Sequence, residues 1–595
     1  MQEIICIIGK KAVLLRVETE RMTNKLLIYG SWLLVAAGLL LKCYAFDCLI
    51  LAPQIAEWKL TDYLTKIAAA MLIALPMLWS KRKWIYGLVV FGLTDLWFIA
   101  NVVYYRAYHL FITWHLFAFA GNMSGFESSI TPYLSWSLLS VMLPSVLILP
   151  CIFFPLERAN WKGTLVVLML SVLASAGGSF NRWRNVRPWL NGEGLSWEWF
   201  NPCSLPRALS ADFSEHERQA GKYIRSRSML GYPLYMIYDA VETYRHRGEV
   251  ADLTEEERVE LEKRIGPKVL QNRVKGNLVI LLLESFESWL LEAEDVHGAP
   301  VCPSIRAYIE SHPVLYVKDV ATQIQFGMSG DGQLIVNTGL FPTLEGVACM
   351  DYGYNTYPNL AHFYLHSAVV NPCRNVWNQA VVTTSYGYRQ LVEPQSENRF
   401  EWNDSVAIDK VKETLERFGR PACVMGITVS GHLPFDTSRD RIEVSEEAPE
   451  WIRNYLQTAH YTDRQVGRLL AWADTAKVME NSVIAITGDH RIFHAWINDE
   501  LREYGLKAGL PFGTSQAGCP LIVKSPKIKT LRVLERGEQV DIFPTILDAI
   551  GQENYYWKGF GRDLLQEEER IDEEGPDIRR QVSDKLIRMD YFADK

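Results

Sequence analysis

Four short stretches of this sequence end an apolar run on a residue able to do chemistry. "LLLESFESW" delivers Glu284 as its first polar group, "QFGMSGDGQ" sets Ser329 beside Gly327 and Gly330, "VSGHLPFD" offers His432, and "AITGDHRIF" offers Asp489 and His490. Each has a structural reading when taken singly: Glu284 and Ser329 as helix caps, His432 as a hydrogen-bonded loop residue, Asp489 and His490 as a turn. Together, two carboxylates, an imidazole and a hydroxyl make an oxygen and nitrogen set suited to Zn²⁺ or Mn²⁺. A serine hydroxyl is a poor nucleophile at neutral pH. Coordination to such an ion favours its alkoxide and offsets the charge on a transferring phosphoryl group. Gly327 and Gly330 let the backbone approach an anion, and a helix opening after Ser329 would point its N–H groups at it. His432 could then hold a phosphate oxygen or protonate the leaving group. His494, one helical turn beyond His490, is read as an incidental loop position.

These residues need a frame. From Gly276 onward, short apolar runs alternate with helix-like stretches: 277–283, 314–320, 380–384, 423–430, 482–487 and 520–523 read as strands, while 450–475 and 540–551 carry helical spacing. Such alternation predicts an α/β domain with a mostly parallel central sheet, whose ligands sit outside the carboxyl ends of the strands. Thr254 and Glu257 read as a capping box opening a helix that runs to Arg264.

The rest of the chain calls for another solvent. Of 595 residues 49% are hydrophobic, and most of the long apolar runs fall before residue 180. Residues 26–46, 63–79, 84–105, 134–154 and 163–180 are each near the length of about 20 residues that crosses a bilayer, so five spans are expected, with 109–120 as a candidate interfacial helix. Lys10 to Lys25, Lys81 to Lys83, and Arg158 with Lys162 flank these runs, which puts those flanks in the cytoplasm and everything after Phe180 on the extracytoplasmic side. Asp95 lies inside the third run. An intramembrane carboxylate is costly, and a polar contact within the helix bundle is the expected reason for it. The expected domains are a transmembrane anchor over 1–180, a helical connector at the membrane surface over 181–265 and a catalytic domain over 266–595. A net charge of −8 without a long basic run past the first third excludes a nucleic-acid groove. Ten cysteines without CxxC pairs support neither a zinc ribbon nor a thioredoxin-like site, and no disulfide is assigned.

In this order, behind these spans, the blocks resemble the membrane-anchored lipoteichoic acid synthase and phosphoglycerol transferase group of the alkaline phosphatase and sulfatase superfamily. The resemblance implies a sulfatase-like fold and a divalent metal, Mn²⁺ or Zn²⁺, bound by Glu284, Ser329, Asp489 and His490. It implies that Ser329, in place of the usual threonine, is the nucleophile, and that His432 contacts the substrate phosphate. "QVDIFPTIL" (539–547) resembles the closing helix of that fold. "VWNQ" (376–379) aligns with a substrate-binding "FWNR" block, which carries substrate contacts onto Trp377 and Gln379. Gln379 stands where that block has an arginine, and Val370 where it has a histidine, so the headgroup pocket departs from the family pattern.

The activity this implies is transfer of a phosphorylated headgroup, of phosphoglycerol or phosphoethanolamine type, from a membrane phospholipid to a glycan or lipid acceptor through a phospho-serine. A second reading is a phosphodiesterase or sulfatase-like hydrolase in which water resolves the intermediate. Ser329-Gly-Asp-Gly-Gln lacks the proline and arginine of a "C/S-x-P-x-R" sulfatase site, which counts against sulfate esters. A third is a catalytically silent binding or sensory module, for which holding all four site residues has no chemical reason.

Overall fold

The computed structural model describes residues 2–593 apart from 51–62, 109–110, 115–132, 155–156, 187–194, 205–218, 246–252, 270–271, 326, 345, 373, 375, 394–402, 433–434, 436–440, 493–498, 511–517 and 567–577. His494, Cys373 and most of the 109–120 stretch lie outside the described residues. Contacts divide the chain into two units, one holding Met1–Leu116 with Ile130–Arg245 and the other His246–Lys595. The stretch expected as a connector is thus shared between them.

A six-residue apolar run without alternation suits a strand buried on both faces, and Leu278–Leu283 (β1) is one. It lies inside an eight-stranded sheet with Val314–Ala321 (β2), His366–Val370 (β3), Gln390–Val392 (β4), Ala422–Ile427 (β5), Val483–Gly488 (β6), Cys519–Lys524 (β7) and Arg532–Glu538 (β8). The order is β4-β3-β5-β1-β6-β7-β2-β8, with β7 antiparallel to both neighbours and every other pair parallel. Alternate side chains of β1 feed two cores. Leu278, Ile280 and Leu282 join the layer under Leu334, Ile335 and Phe543, while Val279, Leu281 and Leu283 join the layer under Ile452, Tyr455 and Val466. The helices Met328–Thr338 and Ile542–Ala549 cover the first face and Asp404–Phe418 and Glu450–Thr475 the second.

Most of the expected elements are present, including the helix Glu255–Arg264 with its reciprocal Thr254–Glu257 box. One strand reading is corrected: residues 380–384 lie within the helix Gln379–Ser385. Gln379 and Thr383, one turn apart, hydrogen-bond each other there, and β3 takes the adjacent place in the sheet. β4 has only three residues and β8 is a charged edge that holds exposed Val533 and follows exposed Leu531, so neither shows the apolar run that marks a buried strand.

Among the described residues of the helical unit, four helices are long and apolar enough to cross a membrane: Met22–Ile50, Lys83–Arg106, Trp136–Phe153 and Trp161–Asn185. The remaining expected span, 63–79, corresponds to the shorter apolar helix Leu64–Trp79, which passes from α to 3₁₀ geometry next to Pro76. Asp95 meets the Lys42 ammonium between the first and second of these long helices, and Ser145 Oγ, on the third, donates to its other oxygen at 2.7 Å. Lys42 also reaches the Val141 carbonyl at 3.1 Å. This is the polar bundle contact expected of an intramembrane carboxylate.

Candidate active site

Parallel strands present their carboxyl ends on one edge, and β1, β2, β5 and β6 release the chain there into Glu284, the Ser329 loop, the His432 loop and Asp489 with His490. Each is then fixed by local bonds. The Glu284 amide donates to Thr428 Oγ1 at 2.9 Å, tying the ends of β1 and β5. Ser285, at φ 52°, turns the chain so that its amide donates to Asp489 Oδ1 at 2.8 Å. The Asp489 carbonyl accepts from Gln539 Nε2 at 2.7 Å. His490 Nδ1 lies 2.8 Å from the Arg491 carbonyl, an acceptor only, so Nδ1 carries its proton there and the other ring nitrogen faces the cluster.

Ser329 sits in the first turn of Met328–Thr338, behind Met328 at φ 44°. It does not cap that helix. Its hydroxyl is 3.3 Å from Glu284 Oε2 and 3.2 Å from His490 Nε2. That nitrogen is in turn 3.5 Å from Glu284 Oε1 and 3.7 Å from Asp489 Oδ2. Ligand atoms of Glu284, Asp489 and His490 all lie within 4.8 Å of one another, and all four residues are buried. The helix can approach this closely because residue 332 is glycine: a Cβ there would come within 2.5 Å of the Asp489 carbonyl oxygen.

Burial, then the Glu284 charge, pushes the Asp489 carboxyl up to about 6, against the pull of His490. Burial opposes the His490 cation, but the charges of Asp489 and Glu284 outweigh it and raise the imidazole. Asp489 Oδ2 is buried without a hydrogen-bond donor among the described residues. An orphaned carboxylate oxygen, a second carboxylate, an imidazole nitrogen and a hydroxyl around one point fit a divalent cation of the Zn²⁺ or Mn²⁺ kind.

The remaining candidates divide. His432 is exposed on the loop after β5, and a Cβ on its neighbour Gly431 would come within 2.3 Å of the Glu284 carbonyl oxygen, so that loop abuts the cluster. Trp377, at φ 51°, packs beside Gly330, 3.4 Å from where a Cβ would stand. Gln379 is fully buried, its amide engaged by Asn371 and Thr383, and Val370 is buried at the end of β3. Two residues escaped the sequence reading. Asp331 Oδ2 accepts from the amides of Gln325 at 2.7 Å and Gly327 at 2.9 Å, bracing the turn before Ser329. Glu287 accepts from the Ile492 amide at 2.7 Å and Trp289 Nε1 at 2.6 Å, and its burial raises its carboxyl to about 7. Acidic residues inside "LESFESW" and "SGDG" were the available signal, since neither stretch is otherwise polar enough for a solvated loop.

A mostly parallel sheet carrying a buried hydroxyl, two carboxylates and an imidazole on its carboxyl edge defines the alkaline phosphatase and sulfatase class. Comparison with known proteins agrees: the Sulfatase family model matches residues 347–552 and the Lipoteichoic acid synthase N-terminal domain model matches residues 12–184. Lipoteichoic acid synthase 1 of Bacillus subtilis is 23% identical over 84% of this chain and 79% of its own length. Lipoteichoic acid synthase of Staphylococcus saprophyticus is 24% identical over 84% and 78%. Among solved structures, the integral membrane lipooligosaccharide phosphoethanolamine transferase A of Neisseria meningitidis shares the fold, with a TM-score of 0.51 and 11% identity over 90% of this chain and 97% of that one. The chain is a lipoteichoic acid synthase-like member of the alkaline phosphatase and sulfatase superfamily, and an enzyme of that family.

Proposed function

We propose that the protein is a metal-dependent phosphotransferase that moves a phosphoglycerol- or phosphoethanolamine-type headgroup from a membrane phospholipid to an extracytoplasmic glycan or lipid acceptor. The observation that carries this reading is the Ser329 hydroxyl at 3.3 Å from Glu284 and 3.2 Å from His490 in a buried cluster. The names of its relatives, lipoteichoic acid synthases, support the substrate class, and the long apolar helices support a donor delivered in the plane of a bilayer.

Glu284, Ser329, Asp489 and His490 are the residues that would hold Mn²⁺ or Zn²⁺. Such an ion, when bound, favours the serine alkoxide and offsets charge on the transferring phosphoryl group. Ser329 Oγ attacks phosphorus, the new Oγ–P bond forms as the bond from phosphorus to the diacylglycerol oxygen breaks, and the headgroup phosphate stays on the serine. His432 supplies the proton to the departing oxygen or holds a phosphate oxygen. An acceptor hydroxyl then attacks the same phosphorus and Ser329 is regenerated. Trp377 borders the nucleophile through Gly330 and is assigned to the headgroup. Gln379 is assigned to shaping that wall from behind rather than to touching substrate, because its amide is already engaged.

The test is the full-length protein in vesicles with Mn²⁺ or Zn²⁺ and a panel of fluorescent phospholipids, followed by diacylglycerol release and intact-protein mass. Release with a headgroup-phosphate adduct, both absent in Ser329→Ala, is the expected result and names the headgroup. A metal-loaded protein that releases diacylglycerol from no lipid would overturn the phospholipid donor.

A further inference from the structure

From Tyr232 to Val241 the helix Tyr232–Arg245 is apolar on two opposite sides, its charges Asp239, Glu242 and Arg245 lying in the second half. Its inner side, Tyr232 and Met236, belongs to the same core as Phe46, Phe98, Val102 and Phe111 of the helical unit. The Tyr232 ring stacks on Trp97 at 6.1 Å. Its outer side exposes Leu234 (54%), Ile237 (62%), Tyr238 (37%) and Val241 (48%), with no charged residue from 232 to 238. A helix resting on a soluble protein is polar on the side away from it, whereas one apolar all round has an apolar medium on both sides.

The contacts fix its depth. The segment before it bonds to one end of the bundle: Ser228 Oγ lies 3.8 Å from Cys43 Sγ, the Arg227 carbonyl accepts from Thr65 Oγ1 at 2.9 Å, and Arg227 Nη1 donates to Ser179 Oγ at 2.5 Å. This end is opposite the Lys81–Lys83 and Arg158–Lys162 flanks assigned to the cytoplasm. Trp97 is 13 residues beyond Trp84 on one continuous helix, a rise of about 20 Å in an apolar layer about 30 Å thick. Tyr232 therefore lies about 10 Å below the outer boundary, within the depth at which in-plane amphipathic helices rest. Lys222, Arg225 and Arg227 precede the helix. Arg227 spends its other nitrogen on the Trp199 and Asn201 carbonyls, which are neutral.

We propose that Tyr232–Arg245 is an in-plane membrane helix whose outer face, Leu234, Ile237, Tyr238 and Val241, rests in the acyl chains of the outer leaflet of a phospholipid bilayer. The inference depends on the spanning reading of the long helices and not on the chemistry of Ser329.

The experiment is photocrosslinking of the full-length protein in vesicles of phosphatidylcholine with phosphatidylglycerol, using Ile237→p-benzoylphenylalanine and, separately, Val241→p-benzoylphenylalanine. Leu96, exposed on the third apolar run, serves as the lipid-facing control, and Glu255, on a charged helix, as the water-facing one. After irradiation, intact-protein mass is expected to show phospholipid adducts at 237 and 241 as at 96, and none at 255. Identical adducts are expected in the Ser329→Ala background, so a failure of the transferase reading leaves this result standing. Adducts at 96 but none at 237 and 241, or crosslinks from 237 to another protein segment, would overturn the proposal.

Discussion

In the helical unit the buried Lys42 ammonium meets Asp95 and the Lys66 ammonium meets Asp47, so each charge taken out of water has its opposite beside it. In the α/β unit Glu284 and Asp489 are buried around one imidazole, and among the described residues no lysine or arginine bonds either. The first arrangement is complete: its desolvation cost is offset by the partner and by the Ser145 hydroxyl. The second stays electrostatically unfinished, with a carboxyl raised by burial and by its neighbour's charge and an oxygen without a hydrogen-bond donor among the described residues. In these two clusters the gathered like charges belong to the candidate chemistry and the paired opposite ones to architecture.

This contrast can be broken at several points. Removing a member of the cluster has the largest expected effect: Asp489→Ala or His490→Ala lowers headgroup release about 10⁴-fold or more, a loss above about 5 kcal/mol of transition-state stabilisation, read as initial rates, and a chelator reproduces it in the wild type. Next, Lys42→Met strands Asp95 and costs about 3–5 kcal/mol of stability. Pairing it with Asp95→Leu restores most of that, with turnover per folded molecule unchanged throughout, as measured by thermal unfolding in detergent alongside activity. If the double variant lost turnover, the division between paired and gathered charge would fail.

Asp331 lies between these extremes, because it acts on the site through the backbone. Asp331→Ala frees the Gln325 and Gly327 amides that brace the turn carrying Met328 at φ 44°. It should lower kcat about 10- to 100-fold with little change in KM, as befits loss of positioning, and Asp331→Asn, which keeps an acceptor, should recover part of it. The smallest effect belongs to Asp563, far in chemistry from either cluster. Burial and the hydrogen bond to Asp548 raise its carboxyl to about 7. The folded state thus keeps a proton that the unfolded chain releases near pH 4, so the stabilising contribution is full below that pH and is lost as pH rises toward 7. Asp563→Asn should therefore flatten the fall in Tm between pH 4 and pH 8, gaining on the wild type at the alkaline end.

Much of this was legible in the sequence because the relevant signals are local. Uninterrupted apolar runs marked β1, β5 and β6, and their first polar residues marked Glu284, Asp489 and His490. The Thr254 box was readable for the same reason, since both of its hydrogen bonds lie within four residues. What escaped depends on distant partners. Val381 and Val382 look like a strand in isolation, yet Gln379 and Thr383 bond along a helix, and the strand that pairs with β5 is His366–Val370. Gln379 was readable as a substrate contact only by position, and its engagement by Asn371 is a product of the fold. Asp331 and Glu287 bond backbone amides, which no side-chain pattern reveals. The change from α to 3₁₀ geometry next to Pro76 follows from the missing proline N–H, a backbone effect that leaves the apolar composition of that stretch intact.

The most direct test of the gathered-charge claim is calorimetric titration of Mn²⁺ and Zn²⁺ into the full-length, metal-stripped protein in detergent, comparing the wild type with Asp489→Asn and with the Lys42→Met, Asp95→Leu double variant. The expected result is one saturable site per chain in the wild type and the double variant, lost or weakened at least 100-fold in Asp489→Asn. Equal binding by Asp489→Asn and the wild type would contradict the assignment of the cluster as a metal centre.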